Sequence, residues 1–97
     1  MKYKQKNVGA ALEDYEKSVG FFEKVAQADE KNIVAQRDIA QSLNNVGKAQ
    51  MELGEREKAK QNFQRAYQIL TDLKTKNALG EFDRPMLDEV QKALQKL

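Results

Sequence analysis

Ninety-seven residues, 40% apolar and 33% charged, suffice for one small amphipathic helical domain with a modest core. The net charge of +2 comes from 17 basic and 15 acidic residues that are interspersed, as in Glu13, Asp14, Glu16 and Lys17, which argues against a nucleic-acid-binding stripe. With no cysteine and no histidine, the chain lacks disulfides, thiolate metal sites, the commonest zinc ligand and the commonest general base.

No apolar run reaches the ~20 residues that cross a bilayer. Met1-Lys2-Tyr3-Lys4-Gln5 has no apolar secretory core, so a cytoplasmic protein without membrane contact is expected. One proline and five scattered glycines leave few breakers of long helices, and no segment alternates with period two. The expected class is therefore all-α.

Val8, Leu12, Tyr15, Val19, Phe22 and Ala26 recur at spacings of four and three and predict a first helix over about 8–28. It ends where Asp29-Glu30-Lys31-Asn32 offers nothing apolar to bury. Met1–Gln5 reads as the last turn of a preceding helix. The neighbours Phe21 and Phe22 cannot both face one core, so an interface and burial between helices stay open for this pair. Ile33, Ile39, Leu43, Val46, Gln50 and Leu53 mark a second helix over about 33–53, which Gly54 stops. Ala59, Phe63, Ala66, Leu70 and Leu73 mark a third over about 56–76. The fourth, about 84–96, starts with Asp83 as its N-cap and Pro85 in its first turn. Phe82 and Leu87 are placed for a hydrophobic staple, and Leu87, Val90, Leu94 and Leu97 form its sticky face. Short connections between such helices predict antiparallel neighbours, with the second and third forming a hairpin.

Residues 7–25 repeat in residues 55–73, displaced by 48 positions. Ala11 falls on Ala59, Tyr15 on Phe63, Ser18 on Ala66, Phe21 on Ile69, Phe22 on Leu70 and Val25 on Leu73. A glycine inside a helix costs roughly 1 kcal/mol against alanine. Gly47 makes sense where two helices cross closely, with Ala59 and Ala66 withholding bulk and Phe63 plugging the space.

The run Leu43-x2-Val46-Gly47-x2-Gln50, the corner Gly54 and then Ala59-x3-Phe63-x2-Ala66 resembles the tetratricopeptide repeat (TPR) family. One full repeat at about 40–73 and the second helix of another, around Ala11, Tyr15 and Ser18, carry the likeness. Gln50 stands where the family prefers an aromatic, and Thr71 near where a proline usually ends the helix. The period of 48 is similar to that of the extended repeats in the C-terminal regions of some bacterial serine/threonine protein kinases.

The resemblance implies one TPR-like domain over 1–97. It comprises a partial repeat at 7–28, a full hairpin at 33–76 and a capping helix at 83–97. It also implies an α-solenoid that binds a peptide or partner protein on its concave face. Gln41, Asn44, Lys48, Met51 and Glu52 would line that face, with Arg37 and Asn45 near its edge. The repeat core would be Leu43, Val46, Gly47, Ala59, Phe63 and Ala66, with Ala11, Tyr15 and Ser18 in the partial repeat. The last three lose part of their cover at the start of the chain, which points to a homodimer or an exchanged helix. A dimerisation or capping element of a larger, kinase-linked repeat protein is the alternative.

No catalytic residue, metal set or cofactor site is expected: the chain holds no nucleophile–base constellation. Glu13 and Lys17 read as a surface ion pair rather than an acid/base dyad, and Asp29-x-Lys31-Asn32 lacks the train of oxygen ligands a calcium loop needs. Tyr3, Tyr15 and Tyr67 read as packing residues.

Overall fold

The computed structural model describes the backbone at 2–81 and 83–97 and the side chains at 7–81 and 83–97. Tyr3's side chain and the expected Phe82–Leu87 staple lie outside the described residues. Four α-helices follow in order: α1 (Lys2–Ala28), α2 (Ile33–Glu52), α3 (Arg56–Thr75) and α4 (Arg84–Gln95). Each packs against the next, α1 on α2, α2 on α3 and α3 on α4. Among the described residues there is no strand. At 1.5 Å per residue, the 27 residues of α1 span about 40 Å, nearly the whole 42 Å long axis of the molecule.

The helix starts at Lys2 rather than near Val8, so Lys2–Gln5 belong to α1 and not to a preceding helix. No proline or glycine interrupts 2–8, and Gly9 is tolerated within the continuous helix. Asn32, which the apolar pattern alone had left without a role, caps α2: its Oδ1 accepts a hydrogen bond from the Ala35 N–H at 3.0 Å. Ile33, expected to lead the buried stripe, is 45% exposed in that first turn, and Ala35 takes the buried place instead.

Both later corners are closed by the same device. Gly54 adopts φ +79°, with the Gly54 N–H on the Met51 carbonyl and the Glu55 N–H on the Gln50 carbonyl. Asn77 adopts φ 56°, with the Asn77 N–H on the Lys74 carbonyl and the Ala78 N–H on the Leu73 carbonyl. These are Schellman caps, which satisfy the last free carbonyls of α2 and α3 while turning the chain sharply.

The core follows the expected stripes. Ile39, Leu43, Val46 and Gln50 of α2 are buried, as are Ala59, Phe63, Ala66, Leu70 and Leu73 of α3 and Val90 of α4. From α1, Val19 is buried, while Leu12, Tyr15, Phe22 and Ala26 pack against the same cluster and keep some exposure. A β-carbon added at Gly47 would sit 2.7 Å from Phe63 Cε1. The phenyl ring of Phe63 lies directly against the α2 backbone there and fills the gap that the glycine opens. Gln50, in the place of an aromatic, is buried too. Its Oε1 accepts from Asn62 Nδ2 at 2.9 Å, so a polar clasp between α2 and α3 replaces a ring.

One expected cap differs. Asp83 precedes α4 as its N-cap residue, but its side chain makes no capping hydrogen bond. The buried carboxylate turns towards α2 and pairs with Arg37 Nε at 3.6 Å. An ion pair to a cation outranks a bond to a neutral N–H, and it ties the start of α4 to the body of the stack. The remaining ion pairs among the described residues join Lys48 to Glu89, Lys58 to Glu55 and Arg65 to Glu23. Glu13 and Lys17, expected to pair, do not.

Candidate partner-binding groove

Helices α2 and α4 lie on the same side of α3, and the channel between them is floored by Phe63. Asn44, Lys48, Met51 and Glu52 of α2 form one wall, and Glu89, Lys92, Ala93 and Lys96 of α4 the other; the cavity measures about 440 Å³. The spacings explain the first wall. Residues 44, 48 and 51 or 52 fall one helical turn apart, so they share a face adjoining the one that Gly47 turns to Phe63.

Four of the five residues expected on the concave face thus stand together. Gln41, the fifth, is exposed on α2 outside this lining, Arg37 is engaged by Asp83, and Asn45 points to the other side of α2. There it joins Val8, Ala11, Tyr15, Lys48, Ala49 and Glu52 around a second, smaller groove of about 230 Å³ between α1 and α2. Lys48 and Glu52 stand on the ridge between the two channels.

The chemistry of the larger groove is mixed. Met51 and Ala93 offer apolar surface above the buried Phe63 ring, while Lys48, Lys92, Lys96, Glu52 and Glu89 stand around it. Lys48 pairs with Glu89 across it, and both side chains are about half exposed, so the pair is a weak bridge that a ligand can exchange. Asn44 is 97% buried by complement of its 3% exposure, and its Oδ1 has no hydrogen-bond partner. A buried carbonyl oxygen without a donor is uncommon; closed to solvent as it is, it is a cost of packing α2 and not a point of contact for a ligand.

The α4 wall was not foreseen, because that helix reads as a cap. The internal repeat contained the signal. Displaced by the same 48 positions, Gln41 falls on Glu89, Asn44 on Lys92 and Lys48 on Lys96. Helix α4 stands to α3 as α2 stands to α1, and it turns the equivalent face to the groove.

Among the described residues no group of acidic side chains could hold a metal ion, and no helix is long and apolar enough to cross a membrane. Four helices packed in sequence, each on the next, with the Gly47–Phe63 crossing at the heart of the α2–α3 hairpin, define an all-α, TPR-like fold. The sequence model of the tetratricopeptide repeat family matches residues 40–69, which comprise most of α2, the Gly54 corner and most of α3. No curated protein and no solved structure matches the chain. Tetratricopeptide repeats in general serve protein–protein interaction and are typically non-catalytic.

Proposed function

We propose that the chain is a non-catalytic interaction module that holds a peptide or partner-protein segment in the α2/α4 groove. The single observation that carries this reading is the α2/α4 channel itself, about 440 Å³, in which Met51 and Ala93 offer apolar surface between charged rims. An extended segment lying along the channel would set its apolar side chains on Met51 and Ala93. It would exchange its own charges with the half-exposed Lys48–Glu89 pair. A binding site of this kind needs no metal or cofactor. A cysteine-free chain suits a reducing compartment such as the bacterial cytoplasm.

The test is selection of peptides from a randomised displayed library, followed by calorimetric titration of those enriched. Lys48→Ala and Lys92→Glu should each weaken the selected peptide about tenfold, or roughly 1.4 kcal/mol, with the helical circular dichroism unchanged. Affinities untouched by both changes would remove the groove from consideration.

A second reading is favoured by the partly exposed Ala11, Tyr15 and Ser18 on α1. It makes the chain a dimerisation or capping element within a longer repeat protein, similar in its 48-residue period to the kinase-associated repeats. A regulatory setting beside a catalytic domain would follow from it, and the encoded sequence upstream of Met1 would decide that point.

A further inference from the structure

The two copies of the internal repeat differ in one respect: how much of the shared face is covered. On α3, Ala59, Phe63, Ala66 and Leu70 are at most 2% exposed. Their counterparts on α1, Ala11, Tyr15, Ser18 and Phe22, all retain partial exposure. The reason lies in the grooves. Tyr15, Asn45 and Lys48 line the channel between α1 and α2, and the 48-residue displacement carries them onto Phe63, Ala93 and Lys96. Those three line the channel whose other wall is α2 itself. The α1/α2 channel is therefore the repeat's image of the seat in which α2 rests on α3 beside α4, and a helix fits it.

What that helix is can be read from α1. Val8, Ala11, Tyr15, Ser18, Phe22 and Val25 are spaced alternately by three and four residues, which is the a/d pattern of a coiled-coil seam. One flank of the seam, Leu12, Val19 and Ala26, is packed into the core, which Tyr15 and Phe22 of the seam touch while keeping part of their surface open, and the opposite flank, Asp14 and Phe21, is exposed. Phe21 is 63% exposed, although its counterpart Ile69 packs on the core. Along the seam, Tyr15 and Phe22 at the a positions are bulky, and Ala11 and Ser18 at the d positions are small. The Ser18 hydroxyl already donates to the Asp14 carbonyl at 3.1 Å, so covering it strands no donor.

In an antiparallel pair of such helices each a residue meets a d residue. With the two-fold axis between Glu16 and Lys17, Tyr15 meets Ser18 of the other copy, Phe22 meets Ala11, and Val8 meets Val25. Every ring then falls on a small side chain, as Phe63 does on Gly47 within the hairpin. A parallel pair would stack ring on ring and leave gaps between the small residues.

The opposite end of the stack cannot take part. Where α2 buries Ala40, Leu43 and Gly47, the corresponding residues of α4 are Asp88, Gln91 and Gln95, all exposed and polar. Head-to-tail growth is thereby blocked at α4, and the contact closes as a pair.

We infer that the chain forms an isologous dimer in which α1 pairs antiparallel with α1 of a second copy, through Val8, Ala11, Tyr15, Ser18, Phe22 and Val25. The inference rests on the self-association reading and is separate from the α2/α4 groove.

Sedimentation equilibrium of the unmodified chain should give twice the chain mass. Ala11→Arg should weaken the dimer at least about tenfold with helicity retained, while the groove variant Lys92→Glu leaves it intact, so that failure of either reading shows on its own. The chain has no cysteine, which allows the register to be read directly. Mixed singly substituted Tyr15→Cys and Ser18→Cys chains should form the mixed 15–18 disulfide in preference to 15–15 or 18–18. A strict monomer at high concentration would leave the face to a helix outside this chain and overturn the proposal. A ladder of larger oligomers, or preferential 15–15 cross-linking, would overturn it equally.

Discussion

At the scale of single residues, the α2–α3 crossing depends on one missing side chain and one large one. Gly47 loses backbone entropy inside a helix, and the loss is offset because Phe63 occupies the volume a β-carbon would claim. Gly47→Leu is expected to destabilise by roughly 1–3 kcal/mol through overpacking. Phe63→Ala is expected to cost about 3–5 kcal/mol through the cavity it leaves. Both are measured by urea unfolding, and near-neutral values at both positions would contradict the close crossing. Gly20 is the opposite case. It sits on the exposed side of α1 with open space where a β-carbon would go. No contact in the structure explains a glycine there, and Gly20→Ala should stabilise by about 0.5–1 kcal/mol in the same experiment.

At the scale of elements, the helices end where backbone chemistry says they should. Asn32 supplies the only side-chain cap recorded at the start of α2, so Asn32→Ala should cost about 1 kcal/mol. Asn77 holds a left-handed conformation that glycine adopts without strain, and Asn77→Gly should be neutral to stabilising, by a few tenths of a kcal/mol, despite adding freedom to the unfolded chain. Comparing the two midpoints by thermal melting separates a cap that holds through its side chain from one that holds through φ alone. The stripes of α2 and α3 were legible because spacings of three and four need only local geometry. The start of α1 was not, since Lys2–Gln5 carry polar residues whose helicity follows from continuity with the rest of α1.

At the scale of the whole molecule, a stack of helices is held by nearest neighbours, and its ends are the weakest part. Helix α4 is joined to the stack by Val90, fully buried, and by the Arg37–Asp83 pair. Removing Arg37 leaves a buried carboxylate facing no cation. Arg37 is itself almost half exposed, so Arg37→Ala should cost only about 1 kcal/mol. The loss should appear as faster amide exchange confined to α4, with α2 and α3 still protected. Uniformly faster exchange would show instead that the four helices unfold as one unit.

The helical class, the order of the four helices and their approximate ends apart from the start of α1, the hairpin between α2 and α3 and the ring that plugs it can all be read from the amino-acid sequence. Each of these follows from periodicity, from turn chemistry or from a glycine that is costly unless a neighbour needs its absence of bulk. Only the tertiary structure decided where charge and polarity go. It sent Asp83 to Arg37 instead of its own helix, joined α2 and α4 across one channel and set Asn44 without a donor in its wall. It also left the shared face of α1 half covered where that of α3 is sealed. A side chain's period names the face it occupies; which other face lies opposite is decided by the packing of whole helices.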